Sequence, residues 1–199
     1  MKRTFIVPAM VIALAALAFA GCLKEKVLDI VLTGETHADF QQDETTENWT
    51  NAAVIDVAQE IRDILADSGY DTGDIKEAHM TSASYGVTSF NQSHDWVIGG
   101  SITVTYNGNT QTILNYTSQS VQAALGQKIP ATLEPGGVTL INQALDDFLG
   151  GADPVLTFTI VNGSVTPAPS ASDHMIFDWR AWLAIQVIID ESVEVPDPF

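Results

Sequence analysis

Four histidines, His37, His79, His94 and His174, and a large set of acids are the side chains of this 199-residue chain best suited to ligate a metal or move a proton. The histidines are scattered along strand-like runs, and no two stand four apart as a metal-binding pair on a helix does. His94-Asp95-Trp96 is the most suggestive local group, because a carboxylate can orient an imidazole. Adjacent strand residues point to opposite faces, however, so His94 and Asp95 are not expected to pair. The densest acidic loop carries Asp67, Asp71 and Asp74 among Ser, Gly, Tyr and Thr, and oxygen ligands on a glycine-rich turn are what a Ca²⁺ takes. The spacing is not that of an EF-hand, and a helix-to-strand turn recruits Asp, Ser and Gly in any case. Asp146-Asp147 reads as the solvated face of a helix. Trp182 shares a strand face with Asp178, Arg180 and Gln186, so Trp182 and Arg180 form a candidate ligand-binding pair or a second packing layer. Ser101, Thr103 and Thr105 extend a hydroxyl-rich strand face able to meet a polysaccharide or water.

No phosphate-binding loop, dinucleotide-binding glycine motif, nucleophile elbow or zinc-protease helix motif occurs, so no catalytic residue, metal or cofactor is assigned. Eight Lys and Arg against 25 Asp and Glu give a formal charge of −17, which argues against nucleic-acid binding because phosphate neutralisation needs clustered cations. The single cysteine excludes an intrachain disulfide scaffold and a Cys-rich zinc site.

That cysteine stands at a particular place. Lys2 and Arg3 precede an uncharged apolar run from Phe5 to Ala20, which is short for a membrane span and suited to a signal-peptide core. Phe19-Ala20-Gly21-Cys22 resembles the lipobox of bacterial lipoproteins, departing from it in having Phe19 where Leu is usual. The resemblance covers about a tenth of the chain. It implies that residues 1–21 are removed, that Cys22 is lipidated, and that the membrane is a partner through that lipid. Leu23 is not the aspartate that retains enterobacterial lipoproteins at the inner membrane, so the resemblance favours the outer membrane. Ala18-x-Ala20 would alternatively serve ordinary signal peptidase and release a secreted protein. Removal of residues 1–21 leaves Lys24, Lys26, Arg62, Lys76, Lys128 and Arg180 against all 25 acids, a charge of −19.

The elements that must position these side chains follow from periodicity. Residues 22–26 are expected as a short lipidated tether, Val27–Thr33 as a strand, and Asp39–Asn48 as a polar loop. Ala52–Ala66 reads as an amphipathic helix with Val54, Val57, Ile61, Ile64 and Leu65 on one face, closed at Gly69. Ile75–Phe90 is a strand or two short ones broken near Gly86, and Trp96–Tyr106 alternates as a strand with one wet face. Asn107-Gly108-Asn109 turns it into a hairpin with Thr110–Thr117. A second helix starts at Pro135 and closes at Gly150-Gly151. Val155–Val161 follows as a strand, Thr166–Ser172 as a surface loop, and Met175–Ile189 as the longest strand, whose odd positions are all apolar.

These elements predict an α+β fold over residues 27–190, a mainly antiparallel sheet with two amphipathic helices on one face, followed by an acidic tail over 191–199. The helices match at an offset near 84, and Asp95-Trp96 matches Asp178-Trp179 at an offset of 83. A duplicated β-α-β-β unit, 27–106 and 109–190, is therefore an alternative to chance register. The function expected is a cell-envelope lipoprotein with a binding or structural role, its partner an envelope protein or a polysaccharide. A hydrolase acting on a polymer is the alternative.

Overall fold

The structure is a computed structural model and describes residues 23–71 and 75–196. The segment expected as a signal peptide, the lipobox-like residues 19–22 with Cys22, and Asp74 lie outside the described residues. The chain divides into a main unit, residues 29–191, and a unit of its two ends, residues 1–28 with 192–199. In the latter, residues 23–28 and 192–196 are extended, with Val27 and Leu28 exposed.

In chain order the elements are β1 (Leu23–Glu44), β2 (Thr50–Asp56), α1 (Val57–Ser68), β3 (Ile75–Phe90), β4 (Val97–Tyr106), β5 (Asn109–Ser120), α2 (Val121–Ala124), β6 (Ile129–Pro130), α3 (Pro135–Leu149), β7 (Val155–Thr166) and β8 (Met175–Pro196). The strands form two four-stranded sheets, ordered β1-β8-β3-β6 and β2-β7-β4-β5.

This arrangement corrects the expected α+β fold. The molecule is sandwich-like, not one sheet carrying helices on a face. The strands of both sheets alternate apolar and polar residues, so each sheet has one apolar face to cover. Two helices of 12 and 15 residues present too little apolar surface for eight strands, and the sheets cover each other instead. The odd positions of β8 from Phe177 to Ile189 are buried, as the alternation requires, in one continuous core with Ile98, Ile102 and Val104 of β4, Leu156, Phe158 and Ile160 of β7, and the apolar face of α3. Trp179 of the first sheet meets Tyr116 of the second edge-on at 5.2 Å.

The duplication is not upheld. The strand after α1 lies in the first sheet and the strand after α3 in the second. Trp96 donates its indole N–H to Gln92 Oε1 at 2.6 Å, whereas Trp179 sits among Phe40, Tyr85, Tyr116 and Phe177 with its N–H unpartnered. The two Asp-Trp pairs occupy unlike surroundings.

Element boundaries moved where pairing or capping overrode pattern. Residues 23–26 and 39–44 belong to β1, because Ala38, Phe40 and Gln42 point inward while the intervening acids point out. Residues 52–56 are strand, not helix. They pair with Thr159–Val155 of β7, which leaves Val54 exposed, and Asp56 then caps α1 by accepting from Gln59 N at 3.0 Å. Gly69, at φ +81°, closes α1 with a left-handed cap. α3 spans Pro135–Leu149 with Pro at its start, burying Leu140, Ile141, Ala144, Leu145 and Phe148. Asn107 and Gly108, at φ +48° and +77°, make the two-residue turn between β4 and β5.

Candidate functional site

A set of side chains with a common chemistry lies on the outer face of the second sheet. Register places its residues in three ranks running across four strands. The first rank is Val54, Thr157, Thr105 and Thr110; the second is Ala52, Thr159, Thr103 and Thr112; the third is Thr50, Val161, Ser101 and Asn115. β-branched residues are the natural occupants of such a face. Eight of the twelve positions carry hydroxyls and none carries a charge, on a chain of formal charge −17. Strand geometry sets neighbours in a rank roughly 4.8 Å apart and successive ranks roughly 6.8 Å apart. The Thr105 and Thr110 hydroxyls hydrogen-bond each other at 2.7 Å, and Thr103 Oγ1 donates to the Thr159 carbonyl at 3.3 Å. All twelve side chains are exposed or half-exposed. Ser101, Thr103 and Thr105 were legible as a wet strand face. Their alignment with Thr157, Thr159, Thr110 and Thr112 depends on which strands pair.

Trp182 and Arg180 lie on the outer face of the other sheet, and the structure engages both internally. Arg180 forks onto Asp39, Nε to Oδ1 at 2.5 Å and Nη2 to Oδ2 at 2.8 Å. This hydrogen-bonded guanidinium holds the Asp39 carboxyl below its usual range. Lys128 sits over the Trp182 ring at 5.2 Å and bonds Glu35, while the Arg180 guanidinium is 6.0 Å from the same ring.

His94 and Asp95 do not pair. Asp95 accepts from Ser120 Oγ at 2.5 Å and Gln122 N at 2.8 Å, securing the start of α2. The His94 ring lies tilted against Trp96, centroids 4.5 Å apart, with Nε2 3.5 Å from Asp173 Oδ2. His174 Nδ1 lies 2.7 Å from Asp43 Oδ1, and that hydrogen bond is the main cause of its raised pKa. His37 Nε2 is 3.6 Å from Asp39. Among the described residues no three His, Cys, Asp or Glu side chains converge as a metal site. Asp147, read as solvated, accepts from the part-buried Tyr106 hydroxyl at 2.7 Å. No sequence signal marked that contact.

Two shallow depressions lie on the described surface. One, of about 490 Å³, is lined by Ile75, Phe148, Leu149 and the Arg62–Asp153 ion pair. The other, of about 470 Å³, is lined by Glu44, Asn48, Trp49 and Asn162, and burial raises the Glu44 carboxyl there. Asn162 N donates to the Trp49 carbonyl and its Nδ2 to the Glu47 carbonyl, tying down the β1–β2 turn.

No protein-family model matches the sequence, and no curated protein matches it. Among solved structures, a chain from Desmodium yellow mottle tymovirus is similar with 12% identity and a TM-score of 0.24, over 94% of this chain and 98% of that one. That score is too low to mark a shared fold.

Proposed function

We propose that the protein is a cell-envelope lipoprotein, held by a lipid on Cys22 with the outer membrane as its favoured address, whose folded body binds a neutral, hydroxyl-rich polymer on the outer face of the second sheet. The observation that carries the binding reading is the uncharged grid of Thr50, Ser101, Thr103, Thr105, Thr110, Thr112, Thr157 and Thr159. Each hydroxyl both donates and accepts a hydrogen bond, as each hydroxyl of a polysaccharide does. A charged face would have to be stripped of water on contact, and none of the twelve grid side chains is charged, the nearest named carboxylate being Glu134 bound to Asn115 at the rim. Contacts of this kind are individually weak, so affinity comes from many hydroxyls meeting an extended ligand at once. The anchoring reading rests on the basic start, the apolar run and Cys22. Two or more acyl chains anchor stably where one gives only marginal binding.

Binding is tested by co-sedimentation with insoluble neutral polysaccharides, comparing the wild type with Thr103→Glu and Thr159→Glu. A charge in the middle rank should lower binding about tenfold or more, one decade being about 1.4 kcal/mol. Unchanged binding in both variants would sink the polymer reading. Anchoring is tested separately, by the mass of the mature N-terminus and by fatty-acid labelling of wild type against Cys22→Ser. A soluble, unlabelled product beginning at Gly21 would sink that half alone.

A further inference from the structure

β1 is an edge strand of the first sheet with β8 as its neighbour, and over Asp29–Glu44 its two faces are unlike. The outward face is acidic. Asp29 meets Lys76 at 2.8 Å, Glu35 meets Lys128, Asp39 takes the Arg180 fork, and Asp43 takes the His174 ring at 2.7 Å. Residues 29–191 contain only Arg62, Lys76, Lys128 and Arg180 as Lys or Arg, so three of these four cations are committed to β1. The inward face is less apolar than that of its neighbour. It carries half-buried Ile30 and Leu32, then Gly34, Thr36, Ala38, Phe40 and Gln42, and the Thr36 hydroxyl and both Gln42 amide atoms are buried without a partner. β8, by contrast, buries an unbroken apolar row from Met175 to Ile189. Exposed ion pairs are screened by salt, and β1 combines three Lys or Arg pairs on its outward face with unpartnered buried polar side chains on its inward face, so its hold on β8 weakens as salt rises.

We propose that β1 is an exchangeable strand, and that the slot beside β8 accepts the β1 of a second copy to give a reciprocal swapped dimer. Complementarity selects that occupant. The slot presents Lys76, Lys128 and Arg180 on its outer side and the Trp179 ring, against which Phe40 packs at 6.4 Å, on its inner side. A strand that fits needs acids at the spacing of Asp29, Glu35 and Asp39 with an aromatic directly after the last. The β1 of another copy is such a strand. Residues 45–49 between β1 and β2 form no strand or helix, and since Asn162 holds the carbonyls of Glu47 and Trp49, residues 45 and 46 are the hinge. Through a short hinge the chain's own β1 is present at an effective concentration of about millimolar, so the closed monomer prevails until the ion pairs are screened and copies are crowded. Returning the crowded protein to low salt then traps the exchanged form.

Charge reversal tests this with the full chain in detergent. Asp39→Arg places two cations opposite each other within one copy, and Arg180→Asp places two acids there. In a 1:1 mixture, reciprocal exchange restores both opposite-charge pairs, which neither variant can do alone. After a cycle through about 1 M salt, where the Debye length is about 3 Å, and back to low salt, native mass spectrometry should show the mixed dimer at least tenfold above either variant's own dimer. A mixture that remains the sum of its two monomers overturns the proposal. Should either variant fail to fold, isotope-labelled and unlabelled wild type taken together through the same cycle at high concentration replaces it. A mixed-label dimer that survives tenfold dilution at low salt is expected, because separation requires both strands to leave. Wild type that stays monomeric, or a dimer lost on that dilution, overturns the proposal equally.

Discussion

The contact between Tyr116 and Trp179 joins the two sheets and permits a quantitative test of the sandwich. Tyr116 is on β5 in the second sheet and Trp179 on β8 in the first, their rings 5.2 Å apart at 83°, both buried. Edge-to-face pairs add about 0.5–1.5 kcal/mol beyond the apolar area they bury. Alanine at such a site costs roughly 3–5 kcal/mol. Two such losses would consume most of the stability of a domain, about 5–15 kcal/mol. Leucine is therefore the better probe, since it removes the ring while filling part of its volume. Trp179→Leu, Tyr116→Leu and the double variant should form a cycle in which the double loses about 0.5–1.5 kcal/mol less than the sum of the singles. Urea unfolding followed by far-ultraviolet circular dichroism measures this without relying on the tryptophan being removed. Tyr116→Phe, which retains the ring and deletes only the hydroxyl donated to Asn162, separates ring from hydrogen bond. Independent sites add within about 0.3–0.5 kcal/mol, so a coupling inside that range would refute the face-to-face packing of the sheets.

Gly86 should not tolerate a side chain, because a Cβ there would lie 1.9 Å from the Gln127 carbonyl oxygen. Gly86→Ala is expected to cost about 1–3 kcal/mol of overpacking, and a variant as stable as wild type in urea would disprove that close approach. The Asp43 hydrogen bond raises the His174 pKa above its ordinary value in the folded state. The stability it contributes is therefore fully present below the unfolded-state pKa, about 6.5 for histidine, and is lost as pH rises through the higher folded value. In NMR titration His174 should titrate above that ordinary value, and Asp43→Asn should bring it down. Equal values in both proteins would show that the pair is not formed in solution.

Several local features were legible because their causes are local. Pro135 and Gly150-Gly151 bracket α3, Asn107-Gly108 makes a turn that only residues tolerant of positive φ enter, and the apolar odd positions of β8 specify one buried face. The Ser101-Thr103-Thr105 face could be read as wet for the same reason, a period of two along one strand. Where the local signal was ambiguous the reading failed. Asp39 and Asp43 made the end of β1 look like a loop, although a strand acid needs only solvent or a cation on its outward side. Val54 fits a helical face as well as a strand, and pairing with β7 decided between them.

The two-faced strands, the position and ends of α3 and the hairpin turn are written in the chain, since each depends on residues a few positions apart, and the charge imbalance is a matter of composition. That two such sheets close on each other is settled in three dimensions, because which apolar face covers which is a matter of area and pairing between distant segments. The same holds for the chemistry of the surface. The ranks of Thr103, Thr159 and Thr112 exist because β7 and β5 flank β4, and the clamp of Lys76, Lys128 and Arg180 on β1 exists because β8 lies beside that strand. Neither register is encoded in any short stretch of chain, for it emerges only when the whole apolar pattern finds the arrangement that buries it.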